Sequence, residues 1–350
     1  MRDSGIDLKE ALTLYSEPNL NLLSHRATQI RERINGKKLF YNRNFHLEPS
    51  NICLLECKFC SYRRGSALEP GAWSMSLPEI ESYIKEHYYK GITEIHIVGS
   101  HHPTHPLSYY LNLIELVRKN LPKEVTIKAF SAAEIDHMCK ISNLSPHRLI
   151  SLLKELGVAA LPGGGAEIFN SQIREKICPD KVTAQRWLEI HETAHTLGIR
   201  SNATMLFGHI ESREHRVEHL LQLRQLQERS GGFDAFIPLH YKSKNNRLGR
   251  VGEVDNIEIL RTFALSRVVL DNVEHIKSYW PSLGRELATL TLLYGADDFD
   301  GTIGNSTKIY SMAGSIEKSP NLTVEEIEEI AQSAGYIAVE RDSLYNEIAK

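Results

Sequence analysis

The 350-residue chain carries 41 Lys and Arg against 44 Asp and Glu, a formal net charge of -3, so composition gives no basic surface for nucleic acid or an anionic membrane. Its 41% hydrophobic content is ample for a large core, while charges every few positions leave neither a secretory core nor a membrane span in the first 20 residues. Five Cys do not make a disulfide framework, and the expected location is a reducing cytoplasm.

Short helices are expected to open the chain over residues 1–38 and to flank the barrel. Across 21–35 the apolar Leu22, Leu23, Ala27, Ile30 and Ile34 keep helical spacing, and Gly36 supplies the stop. From residue 39 short strands alternate with helices. Strands are expected at 41–48, 94–98, 126–130, 158–161, 200–205, 235–239, 275–279 and near 299–302. Helices are expected from the Ser76 cap to residue 90 and over 106–120, 145–156, 183–197, 212–228, 256–270, 284–294 and 323–334. Such alternation predicts an α/β fold of the TIM type over 39–350: a (β/α)8 barrel, or a six-unit partial barrel with a C-terminal extension, in one domain. A barrel of this kind works at the C-terminal ends of its strands.

The first strand leads into Cys53-Leu54-Leu55-Glu56-Cys57-Lys58-Phe59-Cys60. Three thiols at CxxxCxxC spacing suit three corners of one cubane, and no fourth Cys lies nearby. A [4Fe–4S] cluster normally takes four thiolates, so one iron stays open to a small molecule, and an open iron implies chemistry. The competing reading is a zinc knuckle with His46 as fourth ligand, which would make a metal-stabilised binding protein and no enzyme. Cys139 and Cys178 have no partner at motif spacing and read as bystanders.

Later strand ends carry further signals. Gly99-Ser100 follows the second strand. Gly163-Gly164-Gly165-Ala166-Glu167 follows the fourth, and three consecutive glycines permit a close approach that a plain connector does not need. No Lys-Ser/Thr follows, so it is not a phosphate loop. Gly208-His209-Ile210-Glu211 follows the fifth, where Glu211 beside Ser212 also suits an ordinary helix start. Side chains two apart on a strand share a face, and one face of several strands is polar: Asn44, His46 and Glu48; Glu94 and His96; Lys128; Asn202 and Thr204; Lys277 and Tyr279. The alternates Phe45, Leu47, Ile95, Ile97, Ile127 and Ala129 would face the helices, so the lumen is expected to be a wet, polar chamber. His96, Lys128, Asn202, Thr204, Lys277 and Tyr279, with His101 and His240 at strand ends, are the candidate substrate residues.

The cysteine spacing, with the aromatic Phe59 just before the third thiol, resembles the radical S-adenosylmethionine (SAM) superfamily. That resemblance implies a [4Fe–4S] cluster on Cys53, Cys57 and Cys60 whose free iron is chelated by SAM, consumed as a co-substrate. It also assigns cofactor contacts: Gly99 and Ser100 to the methionyl amine, Gly164 and Glu167 to ribose or carboxylate, Gly208, Glu211 and Ile237 to the adenine side. The chain departs from the Gly-Gly-Glu-like turn of that superfamily, with Ser100 in the second Gly position and no Glu after it, so this contact rests on backbone alone.

Residues 163–169 (GGGAEIF), 202–211 (NATMLFGHIE), 128–135 (KAFSAAEI) and 231–239 (GGFDAFIPL) look closer still, to the aminodeoxyfutalosine synthase family of the futalosine route to menaquinone. The dehypoxanthine futalosine cyclase and deazaflavin synthase families share the cluster motif and are the alternatives; they release free 5′-deoxyadenosine. The synthase resemblance implies addition of a 5′-deoxyadenosyl radical to 3-[(1-carboxyvinyl)oxy]benzoate with loss of a carboxyl group. The implied partners are this small aromatic dicarboxylate and a flavodoxin- or ferredoxin-like reductant, with no nucleic acid and no membrane.

Overall fold

Helix starts are set locally. Ser145, Thr183, Ser212 and Thr323 each accept a backbone N–H three residues on, opening helices Pro146–Glu155, Ala184–Thr196, Arg213–Ser230 and Val324–Ser333. Ser76 and Glu79 form a capping box at the start of Leu77–His87. Each such cap contributes about 1 kcal/mol and fixes where strand gives way to helix. The computed structural model describes residues 5–252, 254–305, 307–314 and 321–348.

Its strands are β1 (Lys38–Asn42), β2 (Asn44–Leu47), β3 (Glu94–Ile97), β4 (Thr126–Lys128), β5 (Val158–Leu161), β6 (Arg200–Phe207), β7 (Phe233–His240), β8 (His275–Ile276), β9 (Asp298–Gly301) and β10 (Ile337–Glu340). β2 to β8 form one seven-stranded sheet in sequence order, parallel throughout. β10, β1 and β9 form a second, three-stranded sheet. The large sheet curls, and β9 spans its open side. On one flank Ser278 N donates to Asp298 O at 2.7 Å, and on the other Thr302 N donates to Asn42 O at 3.0 Å and Gly304 N to Asn44 O at 2.8 Å. The architecture is the α/β partial TIM barrel that strand and helix alternation predicts.

One expected strand is in fact two. Residues 41–48 do not run through: the chain leaves the small sheet at Arg43, whose carbonyl accepts Thr93 N at 2.8 Å, and joins the barrel as β2. Alternation misses helices Ala132–Ser142 and Ser171–Ile177 and strand β10 as well.

Register places the expected faces. Asn44 pairs with Glu94, His46 with His96 and His96 with Lys128, so these polar residues line one side of the sheet. Phe45, Leu47, Ile95, Ile97 and Ile127 point the other way, fully buried in one core with Ile80, Ile84, Leu113 and Val117 from covering helices. No helix among the described residues is long and apolar enough to cross a membrane.

After β10 the chain turns under the barrel. Arg341 Nε donates to Asp298 Oδ2 at 2.6 Å, Lys277 Nζ lies 3.8 Å from Asp298 Oδ1 and 2.5 Å from Asp300, and Ser343 Oγ donates to Glu94. Glu94 in turn holds Lys128 at 2.7 Å. All of these groups are buried. Removing one partner of such a set strands a charge at a cost of about 3–5 kcal/mol, whereas an exposed pair contributes at most about 1 kcal/mol. Arg341→Met is therefore expected to lower the urea midpoint sharply. Arg229→Met, which breaks an exposed pair with Glu192 (side chains 54% and 44% open), should shift it little.

Candidate active site

The cysteine loop is held by backbone from four directions. Cys53 N donates to Arg64 O at 2.8 Å, Leu54 N to His101 O at 2.9 Å, Lys58 N to Ile177 O at 2.8 Å, and Lys58 O accepts Arg247 N at 2.8 Å and Leu248 N at 2.9 Å. Cys57 is buried; Cys53 and Cys60 are half-buried. Burial pushes the Cys57 and Cys60 thiols up, and the nearby Lys181 ammonium pulls both back. At Cys60 the backbone N–H groups of Arg63 and Tyr62 also point at the sulfur. Lys181 sits 2.6 Å from Glu167 and 5.5 Å above the Phe59 ring. The cation and N–H donors aimed at sulfur offset part of that burial and would support the thiolate, the form that ligates iron, so three thiols on this loop are a donor set that fits a cluster.

Two neighbours differ from the sequence expectation. Cys178 is no remote bystander: the Lys58–Ile177 bond brings it close enough for its charge to be felt at Cys57. His101 lies against the cysteine loop, Nδ1 3.9 Å from Cys53 Sγ, and its Nε2–H donates to Ala133 O at 2.8 Å, so neither nitrogen is free for a substrate. His46, the fourth ligand of the zinc reading, is instead stacked on His96 with ring centroids 4.8 Å apart.

The Gly99 turn is organised by a residue that alternation passes over. Gly99 N donates to Glu134 Oε1 at 2.8 Å, while Glu134 Oε2 accepts Ser131 N and Oγ at 2.9 and 2.6 Å. The Ser131-x-x-Glu134 spacing of a capping box was the available signal. Ser100 Oγ donates to Ile52 O at 2.7 Å, which leaves its backbone for a ligand.

Close approach by protein accounts for two of the three glycines, Gly163 and Gly165. A Cβ on Gly163 would meet Asn202 O at 2.8 Å and Ala203 C at 2.9 Å, and one on Gly165 would meet the Ala133 Cβ at 2.9 Å. The loop carbonyls are also engaged: Gly163 O accepts Thr204 Oγ1 at 2.7 Å and Gly164 O accepts Trp187 Nε1 at 3.1 Å. The Thr204 hydroxyl thus serves this loop. Glu167 closes the turn at φ 50°, a left-handed conformation costing a non-glycine about 1 kcal/mol, and its carboxylate meets Lys181.

Glu211 is likewise an organiser. Its oxygens accept Gly208 N at 2.6 Å, His209 N at 2.9 Å and Arg216 Nε at 2.6 Å, with none of its side chain exposed. Burial alone would raise its carboxyl, but His209, Arg216 and the Gly208 N–H outweigh this and hold it near about 2. Gly208, at φ 86°, lies under the His240 ring, whose nitrogens have no partner among the described residues. Burial and Lys242 hold that imidazole near about 3.

The inner face forms one ionic and aromatic network. Besides the Lys128–Glu94 and Lys277–Asp300 pairs it holds the stacked His46 and His96, Tyr279 beside Tyr310 at 4.9 Å, and Glu48 accepting Thr307 Oγ1 at 2.8 Å. Asn202 is buried on the same face, and half-buried Ile237 stands opposite Thr204. His96 keeps 23% of its side chain open, so the interior has room beside it. Asp300 and Tyr310 were missed because both follow short, weakly patterned segments.

A curled α/β barrel with a three-cysteine loop at its strand ends defines a class, and the chain belongs to it: residues 47–223 match the radical SAM superfamily, and residues 230–349 match the CofH/MqnC C-terminal region. The chain is an enzyme of this type, and membership implies a [4Fe–4S] cluster and SAM. It is 43% identical to the aminodeoxyfutalosine synthase of Thermus thermophilus over 99% of this chain and 94% of that one. The cyclic dehypoxanthine futalosine synthase of Streptomyces coelicolor is 35% identical over 97% of this chain and 85% of its own. Methylornithine synthase shares the fold, with a TM-score of 0.73 at 15% identity over 96% of this chain and 95% of that one.

Ala at Cys53, Cys57 or Cys60 is expected to abolish iron retention after anaerobic reconstitution, read as iron per chain, while Cys139→Ala retains it. For Glu211, a carboxyl depressed from 4.5 to about 2 stabilises the fold fully above 4.5, and that contribution is lost as pH falls toward 2. The stability gap between the wild type and Glu211→Gln should therefore narrow over that window in urea titrations.

Proposed function

We propose that the enzyme joins the 5′-deoxyadenosyl group of SAM to the vinyl carbon of 3-[(1-carboxyvinyl)oxy]benzoate, with loss of one carboxyl group as CO₂ or bicarbonate, giving aminodeoxyfutalosine. The observation that carries this reading is the polar chamber beside the cysteine loop, where two buried lysines face inward, taken with the 43% identity to a synthase of that name. Cys53, Cys57 and Cys60 would hold the cluster, which when bound would supply the electron for cleavage of SAM to methionine and the radical; a flavodoxin- or ferredoxin-like protein would be the source of that electron.

The remaining work falls to the chain. Backbone at Gly99 and Ser100, the Glu167–Lys181 pair, the loop presented by Gly208 and the half-buried Ile237 receive SAM. Lys128 and Lys277 receive the substrate carboxylates: each ammonium has three donors and spends only part of them on its acid. His96, Asn202, His240 and Tyr279 complete the wall. Holding the vinyl carbon near the nascent radical and excluding water are the physical requirements, and a sealed barrel base serves the second.

An anaerobic assay with SAM, dithionite and the dicarboxylate, read by mass spectrometry, tests this. The expected outcome is a product retaining the adenosyl group; stoichiometric free 5′-deoxyadenosine would assign the chain to the cyclase or deazaflavin synthase reaction. The double change Lys277→Met with Asp300→Asn removes a cation and an anion together, so it probes binding with the charge balance kept. It should raise KM for the dicarboxylate by roughly 10- to 100-fold, the range of one charge-assisted hydrogen bond, and leave KM for SAM unchanged.

A further inference from the structure

The buried cations of the chamber are already paired before any substrate enters. Lys128, Lys277 and Arg341 are matched by Glu94, Asp298 and Asp300, all buried and in contact as pairs. Asp234, whose charge reaches Lys128, is itself paired with Arg200 at 2.5 Å. Glu48, further along β2, meets a hydroxyl and backbone N–H groups. A dianion placed in this chamber therefore adds uncompensated negative charge to a buried site, which costs several kcal/mol unless positive charge arrives with it.

His240 stands apart, over Gly208 and beside Lys242; on the β2–β3 side of the chamber two groups can supply that charge. His46 is 4% exposed, and nothing among the described residues bonds to its Nε2. His96 is stacked on it and reaches only Glu94, at 3.8 Å. The pair is faced by Glu94 on β3, Lys128 on β4, Lys277 just beyond β8 and Asp300 on β9. Across the chamber the register sets Ala160, Arg200, Asn202, Thr204, Ala235, Ile237 and His275 on the same face; of these Arg200 is already paired with Asp234 and His275 with Asp297. Burial first, and the neighbouring imidazole and lysine next, keep His96 neutral in the free enzyme, near about 3. A carboxylate set against the stacked rings reverses that balance, because an opposite charge within a few ångströms favours the protonated imidazole.

Resting on the functional reading above, we propose that the stacked His46 and His96 are the proton-loading element of the substrate chamber: the pair takes up a proton as the aromatic dicarboxylate enters, and the resulting imidazolium holds a carboxylate that the already paired lysines cannot neutralise. Free imidazoles are neutral at working pH and gain a proton in the complex, so affinity falls as pH rises through the raised histidine pKa of the complex.

Titration calorimetry of the cluster-loaded, unreduced enzyme with SAM bound tests this, using 3-[(1-carboxyvinyl)oxy]benzoate in two buffers of different ionisation enthalpy. The expected result is net uptake rising toward one proton per site at about pH 5, between the free value of about 3 and the raised value in the complex, and falling to near zero in His96→Gln. In turnover the KM for the dicarboxylate should climb by up to about tenfold per pH unit on the alkaline side, with KM for SAM flat. Binding without proton uptake, or uptake unchanged in folded His96→Gln, overturns the proton-loading role and leaves the functional reading standing. Absence of any dicarboxylate binding overturns both. Should His96→Gln not fold, the wild-type proton count with the monoanion benzoate decides: uptake as large as with the dicarboxylate overturns the proposal, and uptake only with the dicarboxylate supports it.

Discussion

The carboxylate of Asp298 holds two cations at once, Arg341 from the C-terminal segment and Lys277 from the barrel wall, and the closure of the barrel depends on that double attachment. Asp298 lies on β9, the strand whose backbone spans the open side of the curled sheet. Backbone bonds set the span, and the ion pairs make the polar interior tolerable once it is sealed. A buried charge left alone costs more than the hydrogen bonds of a short strand return, so closure and neutrality are one constraint.

From that constraint comes the division of the site. The cysteine loop is positioned almost wholly by backbone contacts from Arg64, His101, Ile177 and the 247–248 segment, so its shape does not depend on the chamber's ionisation. The chamber is positioned by side chains that hold one another. Between them stand Glu167 and Lys181, which touch the aromatic Phe59 of the loop on one side and the left-handed turn after β5 on the other.

Much of this was legible in the sequence. Cysteine spacing marks the loop, Ser and Thr caps mark helix starts, and period-two alternation separates the polar face of β2, β3 and β4 from the apolar one. What escaped has physical reasons. Alternation is interrupted only at Asn42-Arg43-Asn44 and resumes in the same phase, so a change of sheet at Arg43 reads as one irregular position within a single strand. β8 is two residues long, too short for periodicity. Of the glycines after β5, Gly163 and Gly165 answer to Asn202, Ala203 and Ala133, which approach in space and lie far off in sequence. Lys181 carries no spacing to the cysteines that it influences.

The placing of β1 has a consequence for how the chain comes into being. Its neighbours, β9 and β10, both come from the far end of the chain, Phe40 facing Asp298 and Lys38 facing Ile337. A nascent polypeptide emerges from its N-terminal end, and non-local pairings form late. The earliest of the described strands to leave the ribosome is consequently the last to find both its edges, and the barrel interior stays open until β9 and β10 have emerged.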